Sequence, residues 1–184
     1  MRLAFLLPTL LALAPPLHAQ SDAPPLADLI GIVTMAEDKV AALAETMPAD
    51  AWAWRPDDGV RSASEVVRHI AASNYLMPAI LGVPVPEGIP LSIGPDGPQG
   101  MAEYEALTDR AEARDALAAS FVHLRDAMAD IPADRLDEPL VVFGRPMTVR
   151  GFALIMATHL HEHLGQLIAY ARTNGVVPPW SDGS

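Results

Sequence analysis

The chain has 184 residues, a formal net charge of −11 at pH 7 and 51 % hydrophobic residues. The acidic balance argues against nucleic-acid binding, which requires a basic patch against the phosphates. The absence of cysteine excludes disulfides, a thiol nucleophile of the chain's own and any cysteine-ligated metal.

Met1-Arg2 gives a short positive start, and Leu3–Leu13 is an apolar run broken only by Pro8 and Thr9. Leu17-His18-Ala19 ends it with the small residue that signal peptidase accepts. The run is too short to span a bilayer. It reads as a secretory signal peptide over residues 1–19, with an uncleaved anchor as the alternative. The mature chain would start at Gln20, carry no transmembrane segment and be periplasmic or secreted. Residues 20–184 are expected to form one domain.

The first helix is expected over Leu26–Met47, with apolar positions at Leu29, Ile32, Val33, Ala36, Val40, Leu43 and Ala44, and Pro48 as its stop. The linker 52–61 contains Trp52, Trp54, Pro56 and Gly59 and cannot be helical throughout. Ser62 and Glu65 form a capping-box pattern for a second helix reaching Leu81, which Pro78 kinks or ends. Gly82–Gly100 is rich in proline and glycine and is expected to be an irregular crossover that covers a site. A third helix is expected over Met101–Ala129, with Leu107, Leu117, Phe121, Leu124 and Met128 in its apolar line. Leu140–Phe143 and Met147–Val149 suggest a small hairpin around Gly144-Arg145-Pro146. Thr148 is a cap for the fourth helix, which contains Phe152–Arg172 and ends near Asn174-Gly175. Val176–Ser184 is a proline-containing tail. The fold class is therefore all-α: a four-helix bundle with two long irregular connections.

Histidines interrupt two of the inward faces. His159 and His163 lie four residues apart on one face of the fourth helix, in line with Phe152, Ile155, Met156, Gln166 and Tyr170. His69 falls in line with Val66, Ile70, Ser73 and Met77 in the second helix. One buried imidazole needs one hydrogen-bond partner, whereas three that converge are most simply explained by a shared metal ion. His69, His159 and His163 are the candidate ligands. Neutral imidazoles suit a divalent ion, with Zn²⁺ or Ni²⁺ foremost and Fe²⁺ or Cu²⁺ compatible. Gln166 is placed around this site, where it can bond a bound water or ligand. His161 lies about 200° around the helix from His159 and should point elsewhere, as a surface residue or one that supports the ligands from behind. His123 is expected to be partly exposed on the third helix, with a core position as the alternative. Glu162 is about 100° off the ligand direction and is not assigned as a general base. Glu65 reads as a cap rather than a ligand, and no catalytic residue is assigned. Trp52, Trp54 and Trp180 read as packing of the linkers onto the bundle, with the site entrance as the alternative. Arg55 and Arg172 read as surface ion-pair residues that an anionic ligand could also meet.

The run His159-Leu160-His161-Glu162-His163-Leu164-Gly165-Gln166-Leu167, followed by Tyr170, Arg172, Gly175 and Val177-Pro178-Pro179, resembles the C-terminal signature of the DinB/YfiT-like superfamily. Arg55-Pro56, Gly59, Ser62, Glu65 and His69-Ile70 are similar to that family's approach to its second-helix histidine. The likeness extends over roughly Leu26–Trp180. It implies a bundle whose divalent ion is held by one histidine of the second helix and two of the fourth, which by position are His69, His159 and His163. It also implies kinship with metal-dependent transferases and isomerases that use thiols such as bacillithiol or mycothiol.

The expected function is an exported metal-binding protein whose ion activates a thiol or water, as a transferase or hydrolase. The rival is a non-catalytic exported binding protein with a structural or vestigial metal site. An unspecified small molecule is the expected partner, and a homodimer stays open. For the leader, mass spectrometry of the exported protein should give an N-terminus at or near Gln20. An intact Met1 in the soluble exported fraction would contradict the signal peptide.

Overall fold

The computed structural model describes residues 23–107 and 109–181, so the leader expected over residues 1–19 lies outside the described residues. Four long helices dominate: α1 (Ala27–Thr46), α3 (Ala63–Ile80), α5 (Arg110–Ala129) and α6 (Val149–Thr173). Two short ones, α2 (Ala49–Ala53) and α4 (Met101–Glu105), sit in the connections, with hairpins β1 (Ser92–Gly94)–β2 (Gly97–Gln99) and β3 (Pro139–Val142)–β4 (Arg145–Thr148). α3 packs chiefly on α5 and α1 on α6, which closes the bundle expected from the periodicity. Among the described residues, no helix is long and apolar enough to cross a membrane.

The core follows the inward stripes. Val33, Ala36, Val40, Leu43 and Ala44 of α1 are buried, as are Leu117, Phe121, Leu124 and Met128 of α5 and Phe152 and Met156 of α6. Ile32 was assigned to the α1 stripe but is 40 % exposed, because it lies at the stripe's edge. Polar ties also join helices: Asn74 donates to Ser120 Oγ at 3.1 Å between α3 and α5, and Arg125 pairs with Glu37 between α5 and α1.

The helix starts obey their local signals. Ser62 and Glu65 complete the capping box of α3, and Thr148 Oγ1 accepts from Gly151 N–H at 3.1 Å to cap α6. Pro78 lies in the last turn of α3, which ends two residues later. Pro48 ends α1 but also caps α2, so part of the linker is helical and Trp52 is buried on it.

Three expectations need correction. The stretch expected as one helix over Met101–Ala129 is two, α4 and α5. Asp109 is extended there, and its carboxylate accepts from Glu112 N–H at 2.9 Å, so a new helix begins. Leu107 consequently leaves the apolar line and is 48 % exposed. The crossover 82–100 is not wholly irregular, since it contains the β1–β2 hairpin. The second hairpin turns on Phe143 and Gly144 alone, both with positive φ, the backbone of a tight primed turn. Arg145 and Pro146 therefore belong to β4, in a two-stranded ribbon where proline's missing donor costs little. At Gly100, with φ 78°, the chain turns sharply into α4, and a Cβ would collide with the Pro90 carbonyl oxygen. This turn delivers Met101 and Glu105 to the bundle's histidines.

Leu43 is fully buried, so Leu43→Ala should cost about 2–5 kcal/mol in urea unfolding. Val122→Ala, at a position 49 % exposed, should stay within about 0.5 kcal/mol.

Candidate metal centre

α3 contributes His69, and α6 contributes His159 and His163 one turn apart. One ring nitrogen from each lies within 4.8 Å of the others, the grouping expected of a three-histidine metal site. Ring centroids are 5.2 Å apart for His69–His159, 4.6 Å for His69–His163 and 4.5 Å for His159–His163. The rings meet edge to face, so no stacked pair blocks convergence of the nitrogens.

What lies behind the rings fixes their protons. His69 Nδ1 is 2.7 Å from Glu105 Oε1. A carboxylate only accepts, so Nδ1–H donates and the Nε2 lone pair is left free. Glu105 is 8 % exposed and is also gripped by Arg61 through Nε at 2.7 Å and Nη2 at 3.1 Å. Burial alone would raise its pKa. Hydrogen bonds from His69 and Arg61, with the Arg61 charge, outweigh that and hold it below the usual carboxylate range.

His163 Nδ1 donates to Gln166 Oε1 at 2.9 Å. The amide's orientation follows from the next link, because Gln166 Nε2 donates to the Tyr170 hydroxyl at 2.8 Å. That hydroxyl donates in turn to the Arg61 carbonyl oxygen at 3.2 Å. Trp54 packs edge-on against Tyr170 with centroids 5.1 Å apart and fixes its ring. His159 Nε2 lies 3.1 Å from Ser73 Oγ, one turn beyond His69 on α3. The donor set fits a divalent ion: neutral imidazoles, with hydrogen-bonded partners orienting them.

Burial, then the neighbouring charges of His163 and His69, push the His159 pKa down to about 4. His163 is lowered chiefly by burial, against the opposing effect of its hydrogen bond to Gln166. Both rings are therefore neutral at pH 7, the form that can ligate a metal.

The other singled-out residues separate cleanly. His161 is exposed and bonds the Ala157 carbonyl oxygen at 3.0 Å, turned away from the centre as expected. His123 is partly exposed, but its Nε2 is buried and its ring lies 5.2 Å from Tyr75, apart from the triad. Glu65 caps α3 and pairs with Arg55 at 3.0 Å, while Arg172 is exposed. Trp180 is 39 % exposed beside Lys39, and none of the three tryptophans lines the cleft at the histidines.

That cleft has a volume of about 420 Å³ and reaches His69, Ser73 and His159. Pro98 of β2 and Phe143 of the β3–β4 turn flank it, so the crossover expected to cover the site does border it. Glu162 also lines it, which the angular argument on an ideal helix had set aside. Sequence reasoning missed Glu105 altogether. The available signal was Asp109 three residues before Glu112, a cap pattern that would have ended the preceding helix and freed α4 to turn inward.

A family model described as the DinB superfamily matches residues 33–167. The chain belongs to the DinB superfamily. No curated protein sequence matches it. Among solved structures, the DinB chain is similar to a DinB-like protein from Bacillus subtilis, at 18 % identity and TM-score 0.60, covering 82 % of this chain and 93 % of that one. A DinB-like protein from Bacillus cereus gives 16 % identity and TM-score 0.64 with the same coverage. A mycothiol-dependent maleylpyruvate isomerase gives 14 % identity and TM-score 0.55, over 86 % of this chain and 64 % of the isomerase. At these identities the likeness is one of fold.

The depressed His159 pKa makes the metal-free DinB chain acid-sensitive. Above about pH 6.5 the ring is neutral both folded and unfolded, and its contribution to stability is fully present. Below that, the unfolded chain takes up the proton first, so stability falls as the pH drops toward about 4. The urea midpoint of chelator-treated protein should decline from pH 7 to pH 5, and His159→Leu should flatten the decline. A wild-type midpoint constant over that range would contradict the burial of a neutral ring.

Proposed function

We propose that His69, His159 and His163 hold one divalent ion, zinc or nickel foremost. In this reading the exported protein is a metal-dependent transferase or hydrolase acting through a thiol or water. The observation that carries the proposal is the convergence of three ring nitrogens within 4.8 Å, two of whose histidines, His69 and His159, line a cleft. A bound divalent ion would supply a Lewis acid that lowers the pKa of a thiol or water beside it.

The chain's own groups have defined parts. Glu105 and Gln166 take the Nδ1 protons of His69 and His163 and present the opposite nitrogens inward. Ser73 bonds His159 and restrains its ring. With no cysteine in the chain and no carboxylate in the cluster, three protein ligands leave a fourth position for an incoming molecule. Glu162, on the cleft wall, is within the space from which a proton could be accepted. The isomerase's thiol dependence supports a thiol as one candidate nucleophile, through likeness of fold alone. The N-terminal apolar run supports export.

Untagged protein should contain about one divalent ion per chain by elemental analysis. His69→Ala, His159→Ala and His163→Ala should each weaken binding at least about tenfold, and Glu105→Gln by about tenfold. His161→Ala and His123→Ala should leave it unchanged. Equal losses for His161→Ala and His163→Ala would place the ion on the wrong helix face. A metal held with no exchangeable position would favour the non-catalytic binding protein.

A further inference from the structure

The cleft in front of the histidines and the cleft behind them differ in chemistry. The one behind is lined by Arg55, Arg61, Glu65, Glu105 and Gln166, and no imidazole lines it. It meets the partners of the ligands rather than the ligands. The one in front touches His69 and His159 directly. Its walls are Leu76, Met77 and Ile80 of α3, Met101 of α4, Ile155 of α6 and Phe143 at the hairpin tip. No lysine or arginine lines it among the described residues, and its one charged wall residue is Glu162. Thr158 adds little polarity, because its hydroxyl already donates to the Leu154 and Ile155 carbonyl oxygens, at 3.1 and 3.2 Å.

A molecule reaching the histidines through this cleft therefore finds its polar anchor at the floor and, Glu162 aside, mostly apolar contact along the sides. A ligand bearing hydroxyls or charges along its length would lose water there without gaining partners. The volume of about 420 Å³ is in the range of small-molecule sites. Ile155 is 36 % exposed and Phe143 70 % exposed, apolar surface that an apolar guest would cover.

We infer that the natural ligand class is an apolar small molecule with a single anionic donor head, thiolate or carboxylate. The head reaches the histidine-bound ion, and the apolar body lies along Leu76, Ile80 and Ile155. The inference rests on the metal reading above and adds the direction of approach and the polarity of the guest. Glu162, facing the same space, disfavours a second negative charge on the body.

The test uses the full-length exported protein loaded with Co²⁺, whose visible spectrum reports a change of ligand. It is titrated with straight-chain alkanethiols from ethanethiol to hexanethiol, with alkanoates from acetate to octanoate, and with 1-thioglycerol as a polar control. Each buried methylene should tighten binding by about fourfold until the cleft is full. Thioglycerol should bind no tighter than ethanethiol. Ile155→Asn, which alters the wall and no metal ligand, should flatten the chain-length dependence while leaving the cobalt spectrum of the protein without added thiol unchanged. Affinity that ignores chain length, or equal binding of thioglycerol and the longer alkanethiols, would overturn the inference and leave the metal site standing. A chain that shows no cobalt bands at all would overturn both.

Discussion

Three imidazoles can face one point inside a helical bundle only if their outward nitrogens are hydrogen-bonded elsewhere. A buried polar group without a partner is costly, and a protonated ring would carry charge into the core. Much of the molecule's less regular structure serves this requirement. The turn at Gly100 brings α4 inward so that Glu105 can meet His69. The break at Asp109 keeps α4 from continuing as the helix that would have carried it away. The last turns of α6 supply Gln166 and Tyr170 behind His163.

The long helices do a different job. Their packed stripes hold α3 and α6 at a fixed separation, so the histidine positions are set by the core and not by loops. This suits a site whose parts must be positioned within fractions of an ångström. The two hairpins, by contrast, contribute to the rim. Phe143 and Pro98 reach the cleft from ribbons of three or four residues per strand.

The triad was legible in the sequence because it obeys the helix period: four residues separate His159 from His163, and His69 follows the apolar stripe of its own helix. The capping box at Ser62 and the cap at Thr148 were legible for a similar reason, being local patterns that need no tertiary context. Glu105 was not, since its meaning depends on a contact 36 residues away and on a helix break hidden in a charged stretch. The β1–β2 hairpin escaped because its strands are three residues each and contain Gly94, Gly97 and Pro98, which suppress any strand-like alternation. Glu162 was not assigned as a general base because it lies about 100° off the ligand direction, an angle that does not keep it from lining the cleft.

Arg61 takes part twice. Its backbone carbonyl ends the relay from His163 through Gln166 and Tyr170, and its guanidinium grips the Glu105 that orients His69. The supports of two histidines on different helices are thus one closed circuit through a single residue of the α2–α3 linker. A circuit of this kind has no independent members, because the Tyr170 and Glu105 contacts are both made by the same residue, Arg61. Substitutions at opposite ends, such as Tyr170→Phe and Glu105→Gln, would then not combine as a sum, because the first already relaxes what the second removes. The linker that the sequence marks only as irregular becomes the place where the two halves of the centre are kept in register.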